Sequence, residues 1–106
     1  MEGTRGSHVV RPEIYVSAVK EGVAVITLSG EMDFYYSPRL LKEIYTFVEK
    51  ERPFIVLDLS GLDYLDIRVV RLIIEAQEIF LEIGGDIRLV SLRHSVAKLM
   101  RLTKFD

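Results

Sequence analysis

The first regular pattern in the chain is a two-residue alternation of side chains, which is typical of β-strands. It runs through residues 13–20 and again through 23–29. Glu21 and Gly22, between these segments, are a two-residue turn signal. The pattern predicts a β-hairpin whose second strand ends at Gly30.

A helical spacing of apolar residues comes next. Ser37 followed by Pro38 is a typical helix start, with serine as the N-cap and proline at the first helical position. We expect this helix to end near Glu51, before the break at Arg52 and Pro53. Its apolar positions are Leu40, Leu41, Ile44, Tyr45 and Val48.

A short, almost wholly apolar run at 54–59 predicts a strand buried on both faces, ended by Ser60 and Gly61. Asp66 is placed to cap a second helix that reaches about Ile83, where a glycine pair stops it. Helical periodicity assigns a core stripe to this helix: Val69, Leu72, Ile73, Ala76, Ile79, Phe80 and Ile83. Its opposite face is charged and solvated: Arg68, Arg71, Glu75, Glu78 and Glu82.

Three further apolar residues, Val70, Ile74 and Leu81, widen the apolar arc of the second helix, with Gln77 among them. Two interpretations stay open. Another helix covers them, or Val70 and Ile74 are partly exposed and form a patch that binds a partner.

The last two predicted elements are a buried strand at 86–92 and a short helix at 95–102. The element order is therefore β-β-α-β-α-β-α, which predicts an α/β fold with a mixed sheet of four to five strands and helices packed against it. Residues 13–106 are expected to form one domain. Residues 1–12 are expected to be a flexible N-terminal tail or a cloning remnant.

Composition narrows the class of protein. With 106 residues, 49% apolar and 28% charged, the chain is long enough for one core and too apolar for a disordered protein. A net charge of −2 provides no overall electrostatic attraction to nucleic acid or to an anionic membrane. There is no cysteine, no signal-peptide pattern and no spanning apolar run. We expect a cytoplasmic protein that neither inserts into membranes nor binds nucleic acid.

The sequence contains no recognisable catalytic motif. His8 and His94 have no nucleophile pattern beside them, and no glycine loop for phosphates is present. Asp58, Asp63 and Asp66 are close enough in sequence to suggest a cation site, but capping and solvation explain them better. We expect no metal and no cofactor, and the protein is not expected to be an enzyme.

Three segments in register resemble one family. The first is Leu-Ser-Gly-Glu-Met-Asp at 28–33, followed by Ser37 and Pro38. The second is the strand and loop at 55–66, and the third is 83–90 with 96–103. Together, over residues 13–106, they resemble the STAS domains of bacterial anti-sigma factor antagonists.

The resemblance implies a STAS-type fold and a role in signalling and sigma factor regulation of transcription. It implies that the loops at 33–37 and 63–71 dock an anti-sigma factor or serine kinase. In the family, phosphorylation of a serine directly after the aspartate switches binding off. Here Ile67 occupies that phosphoacceptor position and cannot be phosphorylated, and Val69 and Arg71 replace small glycines.

The partner-binding residues that follow from the resemblance and from the pattern of the second helix are Asp33, Tyr35, Tyr36, Ser37, Asp66, Ile67, Arg68, Val70 and Ile74. Among the aromatic residues at 34–36, we expect one to be buried and at least one exposed. Ser37 has two candidate roles, as a helix cap or as a phosphoacceptor, and capping is preferred.

A second function stays open. Stressosome scaffold proteins, a branch of the same family, also lack the glycines and carry an arginine in this helix. The partners would then be other STAS domains. For either function, we expect the chain itself to be a monomer or a weak homodimer. An enzyme or nucleotide-binding domain is the least supported alternative.

Overall fold

The computed structural model describes residues 11–20, 22–50 and 53–90, with side chains for all of these except 17–20. The expected helix at 95–102, the end of the expected strand at 86–92, both histidines and most of the expected tail lie outside the described residues.

The described residues form a four-stranded mixed sheet with two helices. In chain order the elements are β1 (Glu13–Lys20), β2 (Val23–Met32), a 3-10 turn (Phe34–Tyr36), α1 (Ser37–Tyr45), β3 (Phe54–Leu65), α2 (Ile67–Glu82) and β4 (Asp86–Val90). The spatial order of the strands is β1-β2-β3-β4. β1 pairs antiparallel with β2, whereas β2, β3 and β4 run parallel. The α/β prediction is confirmed.

Both helices cover the same face of the sheet. The two crossovers, β2-α1-β3 and β3-α2-β4, step in the same direction along the sheet, and such crossovers are right-handed. The helices therefore meet, and α1 packs against α2. Burial agrees with this arrangement, because every second residue of β2 is buried beneath the helices. The core joins Ile26 and Leu28 of β2 to Leu57 of β3 and to Ile73 and Phe80 of α2.

Two strands extend further than the sequence pattern predicted. β2 passes Gly30 and ends at Met32, and β3 passes Gly61 and ends at Leu65. The pairing register slips between Thr27 and Ser29, and again after Gly30, and each slip adds one residue to β3. Gly30 has a left-handed φ of 83°, which glycine adopts without steric cost. The bulges thus continue the pairing where the prediction ended both strands.

The helix α1 is shorter than expected, since it ends at Tyr45 rather than near Glu51. The chain then tightens into turns, with the Phe47 N–H donating to the Ile44 carbonyl at 3.1 Å. The Thr46 hydroxyl donates to the Lys42 carbonyl at 2.7 Å. These bonds satisfy carbonyls at the helix end and prevent further α-helical propagation.

The ends of the helix α2 agree with the prediction, but the face that it turns toward the core differs from the predicted one. Asp66 caps it, and Gly84 (φ 86°) with Gly85 stops it. However, Ile79 and Ile83, which were assigned to the core stripe, are exposed, and the five charged residues of the opposite face are exposed as predicted. No helix among the described residues is long and apolar enough to cross a membrane.

Candidate functional site

The ends of β2 and β3 bring two loops together at one edge of the sheet. Met32 pairs with Leu65, and the Asp66 N–H donates to the Met32 carbonyl at 3.0 Å. The chain after Met32 and the first turn of α2 therefore lie side by side. The structure thus brings together the regions 33–37 and 63–71 that the sequence singled out.

Asp66 accepts several of the hydrogen bonds at this junction. Its backbone is extended (φ −69°, ψ 135°), and its Oδ1 accepts from the Arg68 N–H at 2.8 Å, which caps α2. The Arg68 side chain also donates to it, from Nε to Oδ1 at 3.1 Å and from a terminal guanidinium nitrogen to Oδ2 at 2.7 Å. These side-chain hydrogen bonds lower the pKa of Asp66, against the opposing effect of burial, and the N–H groups of Arg68 and Phe34 lower it further.

The Arg68 guanidinium is held from two sides. Besides its contact with Asp66, its central carbon lies 4.5 Å from the centroid of the Phe34 ring, a cation–π distance. Arg68 itself remains largely exposed. The guanidinium is therefore positioned by contacts within the chain, while much of the residue is open to solvent.

Asp33 orders the preceding loop. Its Oδ1 accepts from the Tyr35 N–H at 3.0 Å and so caps the 3-10 turn. Tyr35 is 82% exposed. Tyr36 is half-buried against the core, and its ring meets that of Tyr35 edge-on, with centroids 5.1 Å apart. Tyr35 is thus exposed as expected, whereas Tyr36 is only half-buried.

Ser37 does not have the role predicted for it. It is already helical (φ −58°, ψ −35°), so Tyr36 occupies the N-cap position without a side-chain cap. The Ser37 hydroxyl donates to the Phe34 carbonyl at 2.8 Å, and the residue is only 4% exposed. Because its hydroxyl is buried and engaged, Ser37 is unsuited both to contact a partner and to accept a phosphate in this conformation.

Val70 and Ile74 also differ from the interpretation in which they form an exposed patch. Val70 is fully buried in the core that contains Leu40 and Ile44 of α1, and Ile74 is half-buried against it. Since α1 packs against α2, Val70 agrees with the interpretation in which another helix covers it. Val70 therefore offers no exposed apolar surface, whereas Ile74 stays partly exposed.

Five exposed residues lie in the two loops that meet at the junction, and two of them, Phe34 and Arg68, are in contact. We call this group the Phe34–Arg68 patch, and it consists of Phe34, Tyr35, Tyr64, Ile67 and Arg68. Phe34 and Tyr64 were not among the predicted site residues. Tyr64 was missed because the pattern ended β3 before it, whereas a strand that reaches Leu65 leaves Tyr64 exposed beside a buried neighbour.

Comparison with known proteins agrees with this geometry. The family model described as the STAS domain matches residues 15–106. The chain belongs to the STAS domain family. No curated protein matches the chain closely enough in sequence to count as a relative.

Solved structures show the same fold as this STAS domain. An anti-sigma factor antagonist from Mycobacterium paratuberculosis is 24% identical, with a TM-score of 0.76 over 89% of this chain and 79% of that chain. The anti-sigma factor antagonist SpoIIAA in its unphosphorylated form is 19% identical, with a TM-score of 0.77 over 87% of this chain and 81% of that one.

STAS folds also occur inside larger proteins. The murine anion transporter Slc26a9 is 19% identical, with a TM-score of 0.65 over 76% of this chain but only 14% of that chain. The shared fold therefore does not by itself identify a partner.

The carboxylates considered as cation ligands do not converge in this STAS domain. Asp66 is engaged by Arg68, and among the described residues no group of three or more histidine, aspartate or glutamate side chains is arranged to hold a metal ion.

Proposed function

We propose that this STAS domain is a regulatory protein-binding module that resembles anti-sigma factor antagonists. In this proposal it acts in the bacterial cytoplasm and has no catalytic activity. It docks an anti-sigma factor or serine kinase through the loops at 33–37 and 63–71. The observation that carries the proposal is the Phe34–Arg68 patch, which presents exposed aromatic and apolar side chains around one positioned arginine.

The chemistry of the patch suits protein docking. The residues that contribute most to binding free energy in protein interfaces are enriched in tyrosine, tryptophan and arginine. Aromatic rings bury a large area with only two rotatable bonds, and arginine offers several hydrogen-bond donors. Arg68 already has its guanidinium held by Asp66 and Phe34, so binding would freeze little additional side-chain motion. Tyr35 and Tyr64 add exposed rings on either side of the junction.

The regulation we propose follows from the side chain of Ile67. It is the first residue of α2 and is 41% exposed. By resemblance it stands at the phosphoacceptor position, and its side chain has no hydroxyl. Docking through this patch would therefore be constitutive, without the phosphorylation switch of the family.

The test is an affinity capture from lysate of the source organism, using wild type, Ile67→Asp and Ile79→Asp. Ile79 is a matched control, because it lies on the same helix and is 40% exposed. We expect wild type and Ile79→Asp to retain an anti-sigma factor or serine kinase, identified by mass spectrometry. Ile67→Asp should lose it, since a carboxylate in a desolvated apolar contact is costly. Equal retention by all three proteins would exclude this patch as the docking surface.

A scaffold role is the second candidate, and one observation favours it. Tyr15, Phe54 and Val90 are exposed apolar residues on strands, and Ile79 and Ile83 are exposed on α2. Exposed apolar surface away from the docking patch suits contacts between STAS domains. In that case the capture would recover other STAS domains, Ile79→Asp would weaken it, and Ile67→Asp would not.

A further inference from the structure

A second surface lies where the start of β1 meets the start of α1. A cleft of about 480 Å³ opens there. Its walls include Arg11, Glu13, Ile14, Tyr15, Tyr36 and Arg39. It is distinct from the Phe34–Arg68 patch but adjoins it.

The charges in this cleft are unbalanced. Arg11 and Arg39 both face it, whereas Glu13 is the one acidic residue among its described lining. Within the described part of the chain, neither guanidinium takes part in a hydrogen bond or an ion pair. Among the described lining residues, two cations thus face one anion in a concave site, and such a site concentrates anions.

Tyr36 connects the cleft to the docking patch. Its ring lines the cleft and also meets the ring of Tyr35 edge-on, and Tyr35 belongs to the patch. A protein that covers Tyr35 therefore lies one aromatic ring away from the two arginines.

We propose that this Arg11–Arg39 cleft binds an acidic segment of the protein partner, one that carries several aspartate or glutamate side chains. This inference rests on the proposed docking function and adds the chemistry of the partner. The carboxylates pair with Arg11 and Arg39, while Tyr15 and Tyr36 pack against the aliphatic parts of the segment.

The shape and composition of the cleft favour a peptide over a small anion. Arg11, Tyr15 and Arg39 are all exposed, so the cleft is open rather than enclosing. Glu13 repels a compact dianion such as phosphate, whereas an extended segment can place its carboxylates beside the arginines and away from Glu13. The apolar wall offered by Ile14 and the two tyrosines has no use in binding an inorganic ion.

The probe for this cleft is a capped hexaglutamate peptide, titrated into the ¹⁵N-labelled full chain and followed by NMR. We expect shift changes at the backbone amides of Arg11 and residues 13–15, and at those of residues 36–37 and Arg39; the prolines at 12 and 38 carry no amide proton. Arg39→Glu should weaken binding by about tenfold, whereas Lys50→Glu, an equal charge change at another exposed site, should weaken it by less than about twofold. Raising the salt concentration from about 50 to about 300 mM should weaken binding severalfold, because exposed charges are screened.

Inorganic phosphate is titrated in parallel. The proposal is supported if hexaglutamate binds, if Arg39→Glu weakens this binding about tenfold and if phosphate does not compete with it. Phosphate binding at the same residues without peptide binding overturns it in favour of a small-anion site. Absence of shifts with both probes also overturns it.

The lysate capture separates this inference from the docking proposal. If Ile67→Asp loses the partner while Arg39→Glu retains it as well as Lys50→Glu does, docking stands and the acidic-segment inference fails. If wild type captures no anti-sigma factor or kinase, the docking proposal fails, and the peptide titration still reports on the cleft.

Discussion

Arg68 folds back onto Asp66, two residues earlier, and donates to both of its carboxylate oxygens, at 3.1 Å to Oδ1 and 2.7 Å to Oδ2. Residues two apart within a helix point in different directions and cannot pair in this way. The pair forms because Asp66 lies just outside α2 with an extended backbone, so its side chain turns over the helix end. One carboxylate thereby caps the helix and positions the arginine of the Phe34–Arg68 patch.

The first prediction concerns the cap. Asp66→Ala should lower the free energy of unfolding by about 1–2 kcal/mol, because the N–H groups at the start of α2 lose their acceptor. Urea denaturation measures this change. Glu78→Ala, on the exposed face of the same helix, should stay within about 0.5 kcal/mol of wild type. Equal stability of the two variants would show that Asp66 is not the cap.

The second prediction concerns the ring beneath Arg68. An arginine Nε–H above an aromatic face is shielded by the ring current, so Phe34→Leu should move the Arg68 Nε–H resonance downfield. Tyr35→Leu should leave that resonance in place, since the Tyr35 ring contacts Tyr36 edge-on rather than Arg68. An Arg68 resonance insensitive to both substitutions would contradict the contact.

The third prediction is a pH dependence. Hydrogen bonds from Arg68 lower the pKa of Asp66 in the folded protein. Burial raises the pKa of Asp86, but hydrogen bonds from Arg88, the Ile87 N–H and Gln77 outweigh it and leave the pKa lowered. The unfolded state therefore binds protons more readily, and the stabilisation present above the unfolded pKa is lost as pH falls through the folded pKa values.

The free energy of unfolding should accordingly decline below about pH 5. The double variant Asp66→Asn/Asp86→Asn should show a shallower decline, measured by urea denaturation between pH 7 and pH 3. A decline as steep as that of wild type would assign the pH dependence to other carboxylates.

The fourth prediction concerns Gly85. A Cβ there would overlap the Pro53 carbonyl oxygen, which also accepts from the Asp86 N–H at 3.0 Å. Gly85→Ala should therefore cost about 2–3 kcal/mol of stability. Gly22→Ala is the control, because its Cβ would meet nothing within 4 Å and only the left-handed φ of 82° is strained. It should cost about 1 kcal/mol, and a larger loss at Gly22 than at Gly85 would contradict the steric argument.

The fifth prediction concerns Gln77, whose Nε2 donates to Asp86 Oδ1 at 3.2 Å and to the Ile87 carbonyl at 2.9 Å. This amide ties α2 to the start of β4. Gln77→Ala should cost about 1–3 kcal/mol, because the Ile87 carbonyl loses this donor and Asp86 Oδ1 keeps only the Ile87 N–H. Gln77→Glu should cost more at pH 7, since it sets a second carboxylate against Asp86, and should recover relative to Gln77→Ala at low pH. Chemical denaturation at two pH values distinguishes the variants.

Local patterns in the sequence were sufficient for the type and order of the described strands and helices, and for one part of the site. Strand alternation in β2 and the stop at Gly84 are properties of neighbouring residues, so they could be predicted without the fold. The same holds for Asp66, since an N-cap acts on the turn that follows it. The pairing of the 33–37 and 63–71 regions came from resemblance to a family, not from these local patterns.

Tertiary structure decided the strand ends and the orientation of α2. β2 and β3 continue to Met32 and Leu65 because bulges keep the two strands paired. The sequence of one strand does not show which strand will pair with it. The apolar arc of α2 is wider than one contact needs, so periodicity left its rotation open. Packing against the sheet and α1 buried Val70 and exposed Ile79, because burial depends on which neighbour arrives from elsewhere in the chain.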